Sequence, residues 1–267
     1  MVFVIFVIFV NEPWPWESVM ITHEILGDDM QAVVLTLGGG DVVRAEAGAL
    51  MFMNDSIEMD AKLDGGLLGG LKRKFLAGES LFITYFKGTA AGAKVAFAGP
   101  YPGKIIHVSL SGQPVLCQRD AFLCATGDID FSIAFTRRLG AGFFGGEGFI
   151  LQKMEGRGEL FIHSGGTIVP FDLKAGERLR VDTGCLVAFD ASVDYDIERV
   201  GGIKTSLFGG EGLFFAVMTG PGRVWLQTLP FSRLAERIHN AYGADREDVK
   251  RDFGGALGKI GDLIGGE

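Results

Sequence analysis

The sequence predicts an all-β protein: three tandem β-sandwich or double-stranded β-helix-like repeats, followed by a short C-terminal helical segment. Three observations carry this. Short apolar runs recur in register, each run leads into strict apolar–polar alternation, and glycines mark matched boundaries.

The apolar runs are Ala49 to Met53, Ala121 to Ala125 and Cys185 to Phe189. Across a short polar break follow Ile57, Met59 and Ala61, then Ile129, Phe131 and Ile133, then Val193, Tyr195 and Ile197. Between them stand Glu58 and Asp60 in the first stretch, Asp128, Asp130 and Ser132 in the second, and Asp194, Asp196 and Glu198 in the third. A period of two with one apolar face is the pattern of a half-buried strand.

Gly40, Gly112 and Gly176 mark a turn ahead of each run. Further on, Phe75 to Leu81 corresponds to Phe143 to Phe149 and to Leu207 to Leu213, which makes Gly145, Gly146, Glu147, Gly209, Gly210 and Glu211 structural turn residues. Gly88, Gly156 and Gly220 each open a turn into an apolar strand, at Val95 to Phe97, Leu160 to Ile162 and Val224 to Leu226. Gly156-Arg157-Gly158 and Gly220-Pro221-Gly222 read as hairpin tips, since glycine tolerates positive φ; the first copy has a longer tip from Gly88 to Gly92. The repeats cover about 31–99, 103–165 and 167–229, inside a β domain of 20–230.

After Pro230 the period changes. Ser232 is a fair N-cap, and Leu234, Ile238, Ala241 and Tyr242 recur at helical spacing. A second stripe runs through Val249, Phe253, Leu257, Ile260 and Ile264. Gly254, Gly255, Gly258, Gly261 and Gly265 each cost it roughly 1 kcal/mol of propensity, so the helices of 231–267 need a partner surface.

Residues 1–19 differ from the rest. Val2 to Val10 is apolar, and Pro13 and Pro15 lie beside Trp14 and Trp16. The run is too short to span a bilayer and lacks the basic region and cleavage site of a signal peptide. It reads as an upstream extension with Met20 as a start; the other reading is a strand or a membrane-touching tail.

The bulk properties narrow the function. A chain that is 48% hydrophobic is not disordered, and its 41 glycines beside 8 prolines, without a collagen period, fit many tight turns between strands. A net charge of −8 and a pI near 5.1 argue against nucleic-acid binding, which needs a basic surface. Cys117, Cys124 and Cys185 show no CxxC spacing and read as small apolar residues in a reducing, cytoplasmic setting.

No enzyme site stands out, and no cofactor or metal is expected. Asp128 with Asp130 and Asp194 with Asp196 lie two residues apart, roughly 7 Å along a strand, a spacing open to a glycosidase or a calcium site. The same polar face recurs in all three copies, with Glu58 and Asp60 in the first, so it reads as the solvated side of a strand. Gly140-Ala141-Gly142-Phe143-Phe144-Gly145 matches GxGxxG but precedes a strand rather than a helix. His23, His107, His163 and His239 are dispersed, without metal-ligand spacing, and read as surface or strand residues. There is no GxSxG elbow and no P-loop.

Two features suit interaction. Gly65 to Leu71, with Leu67 and Leu68 at its centre, is an apolar glycine loop running into Lys72, Arg73 and Lys74. It reads either as a contact for a membrane surface or partner protein, or as a connection folded on the core beside an edge that its charges protect. The glycine-laced C-terminal segment is the other feature.

Gly209 to Phe214, leading into Thr219-Gly220-Pro221-Gly222-Arg223-Val224-Trp225-Leu226-Gln227-Thr228, resembles the signature of the "altered inheritance of mitochondria" proteins and their bacterial relatives of unknown function. The resemblance spans roughly 20–240. It implies a fold like that of the tryptophan RNA-binding attenuation protein, and a scaffold or membrane-associated role, since fungal members are linked to inner-membrane organisation. It implies no catalytic residues. RNA binding does not carry over, because the basic run 72–74 occurs in one copy only. The functional expectation is therefore a non-enzymatic, homo-oligomeric interaction or scaffold protein that does not bind nucleic acid. The alternative is a ligand-binding β-barrel or enzyme with a pocket between repeats.

Overall fold

The computed structural model describes residues 21–60, 83–137, 149–199 and 214–241. Among these the chain is mostly strand. In order come β1 (Thr22–Leu26), β2 (Ala32–Leu37), β3 (Val42–Glu46), β4 (Leu50–Met53), β5 (Ile57–Asp60), β6 (Ile83–Gly88) and β7 (Ala93–Ala98). Then follow β8 (Gly103–Ser111), β9 (Val115–Gln118), β10 (Phe122–Thr126), β11 (Asp128–Arg137) and the long β12 (Phe149–Gly165). The last are β13 (Ile168–Leu173), β14 (Arg178–Asp182), β15 (Leu186–Asp190), β16 (Asp194–Arg199), β17 (Phe214–Thr219) and β18 (Gly222–Gln227). One short helix, α1, occupies 231–241. The expected extension 1–19, the loop 65–74, the turns at 145–147 and 209–211, the GxGxxG match and the second helical stripe lie outside the described residues.

The strands form open sheets rather than a closed barrel. An 11-stranded sheet runs in the order β13-β18-β15-β9-β12-β10-β3-β6-β5, with β8 and β11 also on β12. A 4-stranded sheet (β1-β2-β7-β4) and a 3-stranded sheet (β14-β17-β16) accompany it. All pairings among the described strands are antiparallel.

Three strand pairs share one irregularity. Between Leu50 and Phe52 the register of β4 against β7 shifts; it shifts likewise between Phe122 and Cys124 on β10 and between Leu186 and Ala188 on β15. Each is a bulge at the apolar run seen in the sequence, where an extra residue bends the strand.

The hairpin tips expected at Gly88–Gly92, 156–158 and 220–222 are corrected. The flanking strands do not pair with each other: β6 pairs β3 and β5, while β7 pairs β2 and β4. β17 and β18 likewise pair other strands, and β12 runs unbroken through Gly156 and Gly158. These glycines are corners where one line of chain passes between partners. Gly156 (φ +129°) is needed there, because a Cβ would run into the Asp128 carbonyl oxygen on β11.

The core is three clusters. The first gathers Val33, Leu35, Phe86, Val95 and Phe97 with Leu123, Cys124 and Phe161. The second gathers Ile106, Phe122, Met154 and Leu160 with Val187, Ala188 and Trp225. The third gathers Val181, Phe189, Ala216 and Met218 with Leu116, Phe149 and Leu151. Each borrows residues from a neighbouring stretch of chain, so the clusters are mechanically coupled.

The alternation expected from sequence places its apolar members inward at Ile57, Ile129, Val193 and Ile197. The carboxylates Glu58, Asp60, Asp128, Asp130, Asp194 and Asp196 are exposed, as a solvated strand face requires. Met59 and Ile133 depart from the pattern: they are 54% and 38% exposed. Helix α1 keeps Leu234 and Ala235 half-buried while Ile238 is exposed, and among the described residues no helix is long and apolar enough to cross a membrane.

Candidate functional site

Polar side chains gather where the strands of one stretch meet those of the next. Glu46, Gln118 and Asp182 are the last residues of β3, β9 and β14. Gln118 donates from Nε2 to the Thr183 carbonyl at 2.8 Å. Gln227, at the end of β18, donates to the adjacent Gly184 carbonyl and accepts from the Gly165 amide, both at 2.8 Å. Asp182 accepts from the Gly184 amide at 2.9 Å and from Arg233 of α1 at 2.8 Å.

Glu46 faces the corresponding turn at 119–121. Burial first, and then the Asp120 carboxylate, raise its pKa to about 7, with Arg119 pulling the other way. Tyr101 belongs to the same neighbourhood: burial, Asp120 and Glu46 push its hydroxyl up to about 12. Its ring lies 4.6 Å from His163 and 5.3 Å from Phe231 at the start of α1. His163 is buried, and burial holds it below the usual imidazole range, opposed by a hydrogen bond to the Tyr101 backbone. Gly103 pairs across from Gly165, and a Cβ there would run into the Ser164 carbonyl oxygen and stand 2.7 Å from His163 Nε2, so glycine leaves room for both. His163 Nδ1, Ser164 Oγ and Thr183 Oγ1 are buried without protein partners.

A second group lies on the outer face. His107 Nε2 meets Glu159 Oε2 at 2.5 Å and Ser109 donates to Glu159 Oε1 at 2.9 Å. His23 from β1 packs on His107 with ring centroids 4.2 Å apart, and both rings contact Phe161. Burial and His107 lower the pKa of His23, and Glu159 partly restores it. His23, His107 and His163 lie on strands and His239 is exposed, as the sequence reading has them; what that reading misses is that β1 and β8 bring His23 and His107 together. Among the described residues no cluster of three or more His, Cys, Asp or Glu is placed to hold a metal ion.

Of the residues singled out from sequence, Leu67, Leu68, Lys72, Arg73, Lys74, Gly145, Gly146, Glu147, Gly209, Gly210 and Glu211 lie outside the described residues. Gly220 and Gly222 form the corner between β17 and β18, with Gly222 at φ +142°. Sequence reasoning missed Glu46, Tyr101 and Asp120. The signal for Glu46 was its position at the end of a strand, shared with Gln118 and Asp182.

The third feature is a pair of sheet edges. β4 lies at the end of the 4-stranded sheet and β14 at the end of the 3-stranded one. Strands β10 and β15 are buried beside β3 and β9. β4 has no such neighbour among the described strands, and it leaves Met51 62%, Phe52 44% and Met53 39% exposed. Met59 on β5 is exposed as well; exposed apolar side chains of this kind mark an interaction surface.

Fold and site thus define an all-β protein of several sheets, whose polar seams bind its own main chain and whose β4 edge exposes apolar side chains. The chain belongs to the family described as mitochondrial biogenesis AIM24, whose model matches residues 23–229. It is 29% identical over 210 residues to an uncharacterized protein of Streptococcus pyogenes serotype M6, covering 76% of this chain and 83% of that one. It also resembles the X-ray crystal structure of a Streptococcus pyogenes protein from a structural genomics consortium, with a TM-score of 0.69 and 25% identity. That match covers 83% of this chain and 99% of the other.

Proposed function

We propose that this chain is a non-enzymatic scaffold built from three tandem copies of one β unit, of a design like the tryptophan RNA-binding attenuation protein, whose role is to hold partners together. The observation that carries the reading is the repeated joint. β10 pairs β3 through Cys124 opposite Ala45, and β15 pairs β9 through Ala188 opposite Cys117, at the same distance past the same bulge. Buried polar groups at these joints bind main chain rather than converge on a cavity, as in Gln118 to Thr183 and Gln227 to Gly184. The three unpaired cysteines suit a reducing compartment.

Glu46 favours a second reading, a small-ligand site between copies, because its raised pKa and the nearby Tyr101 and Asp120 resemble convergent site chemistry. The substitution Glu46→Gln separates the two. Burial in the folded state raises this acid from its ordinary value of 4.5 to about 7, so it binds more protons than the unfolded chain between those values. Its contribution is therefore full below pH 4.5, declines as pH rises to about 7, and is absent above. Glutamine, the residue at the matching position 118, removes that penalty. In the scaffold reading Glu46→Gln gains about 1–2 kcal/mol at pH 8 and nothing at pH 4, measured by urea denaturation at both values. Native mass spectrometry of protein from its own source would overturn the scaffold reading if it showed a stoichiometric small ligand that this variant loses.

A further inference from the structure

We propose that the β14 edge of one chain pairs with the β4 edge of a second copy, repeating between chains the joint that each chain makes twice within itself. This rests on the three-copy reading above.

The register is fixed by the two internal joints. At the first, Ala45, Arg44 and Val43 of β3 oppose Cys124, Ala125 and Thr126 of β10. At the second, Cys117, Leu116 and Val115 of β9 oppose Ala188, Phe189 and Asp190 of β15. The matching strands left over are β14 and β4, each with one described partner strand. Aligned through their partners β6, β12 and β17, Val181 takes the place of Ala45 and Cys117. Aligned through the shared bulge, Phe52 takes the place of Cys124 and Ala188. The copy-to-copy ladder therefore sets Val181 opposite Phe52, Arg180 opposite Met53, Leu179 opposite Asn54 and Arg178 opposite Asp55.

Side chains fit the same pattern. At the first internal joint Arg44 donates to the Gly127 carbonyl at 2.8 Å and lies 5.1 Å from the centroid of Phe131. Arg180 stands where Arg44 stands, Asp55 where Gly127 stands, and Met59 where Phe131 stands. The guanidinium of one copy thus meets the Asp55 carbonyl and the exposed Met59 of the next. At the second joint Leu116 and Tyr195 fill these places with an apolar contact in the third cluster. Arg178 opposite Asp55 adds opposite charges. Both arginines are exposed and otherwise reach Glu198 only at 3.8 and 3.5 Å, so they are available.

Such a contact uses different surfaces on the two partners, so it closes into a ring or continues as a filament according to its rotation. It also covers two open edges that would otherwise invite indiscriminate pairing.

The test mixes single-cysteine chains in a Cys185→Ser background: Phe52→Cys with Val181→Cys, and separately Met53→Cys with Arg180→Cys. Adjacent opposed pairs alternate between wide and close spacing, so one of the two combinations has disulfide geometry. The expected result is a disulfide-linked dimer from one mixture on non-reducing gels, and oligomers by native mass spectrometry that Arg180→Ala weakens about tenfold or more. A monomeric mass without cross-linking in either mixture overturns the proposal. So does a disulfide confined within one chain when both cysteines are placed on it, since the edges would then close on themselves. Binding to anionic vesicles by a monomer, lost with Met51→Asp, overturns it in favour of a lipid occupant. Arg44→Ala distinguishes the underlying reading: a lowered unfolding midpoint at every protein concentration keeps the internal joint even if the chains do not assemble, while no change sinks the joint itself.

Discussion

Phe161→Ala is expected to cost about 3–5 kcal/mol, the loss that accompanies truncation of a fully buried phenylalanine. Phe161 sits on β12 yet packs in the first cluster, against the side chains of β2 and β7, and it supports the rings of His23 and His107. Its removal therefore leaves a cavity at a joint rather than inside one sheet, and the flanking strands cannot collapse into it without breaking the β10–β12 register. Urea denaturation read by near-ultraviolet circular dichroism should show one transition at a lower midpoint. Phe189→Ala, in the third cluster, should cost a similar amount while leaving the environment of His23 and His107 intact by NMR. A loss below about 1 kcal/mol for Phe161→Ala would mean that the first cluster does not depend on the strand it borrows.

The period-two alternation made the all-β class legible, because burial of one sheet face is a local constraint: Ile57, Ile129 and Val193 point inward and the intervening carboxylates face water. The turns at Gly40, Gly112 and Gly176 were equally readable from their spacing, and all three take positive φ. Pairing was not. A glycine corner between two sheets and a hairpin tip have the same local pattern, and only the partners of β6, β7, β17 and β18 tell them apart. The meeting of His23 with His107 escaped for the same reason, since β1 and β8 come together through strands far apart in sequence. Met59 is instructive in the other direction. The alternation places it with Phe131 and Tyr195 on an inward face, yet it is exposed. Its pattern is that of a buried residue whose cover lies elsewhere, which is what a missing neighbour at β4 would leave.

The second large effect is expected at Gln227, where alanine should cost about 2–4 kcal/mol by orphaning a buried donor and a buried acceptor together. Its amide holds the Gly184 carbonyl while its oxygen holds the Gly165 amide, so one side chain ties the end of β12 to the turn ahead of β15. Gln118→Ala frees only the Thr183 carbonyl and should cost about half as much, and the two losses should not add, because Thr183 and Gly184 share one turn. Gln227→Glu sharpens the point. A protonated carboxyl still donates to the Gly184 carbonyl and accepts from the Gly165 amide, whereas a carboxylate faces that carbonyl with its own charge. Its folded pKa is therefore raised above the unfolded value, and its stability relative to wild type should be nearly restored at pH 4 and fall as pH rises through the folded pKa. A pH-independent deficit would show that position 227 matters through packing alone. A deficit that disappears in acid would show that the buried Gly184 carbonyl needs a proton donor at position 227.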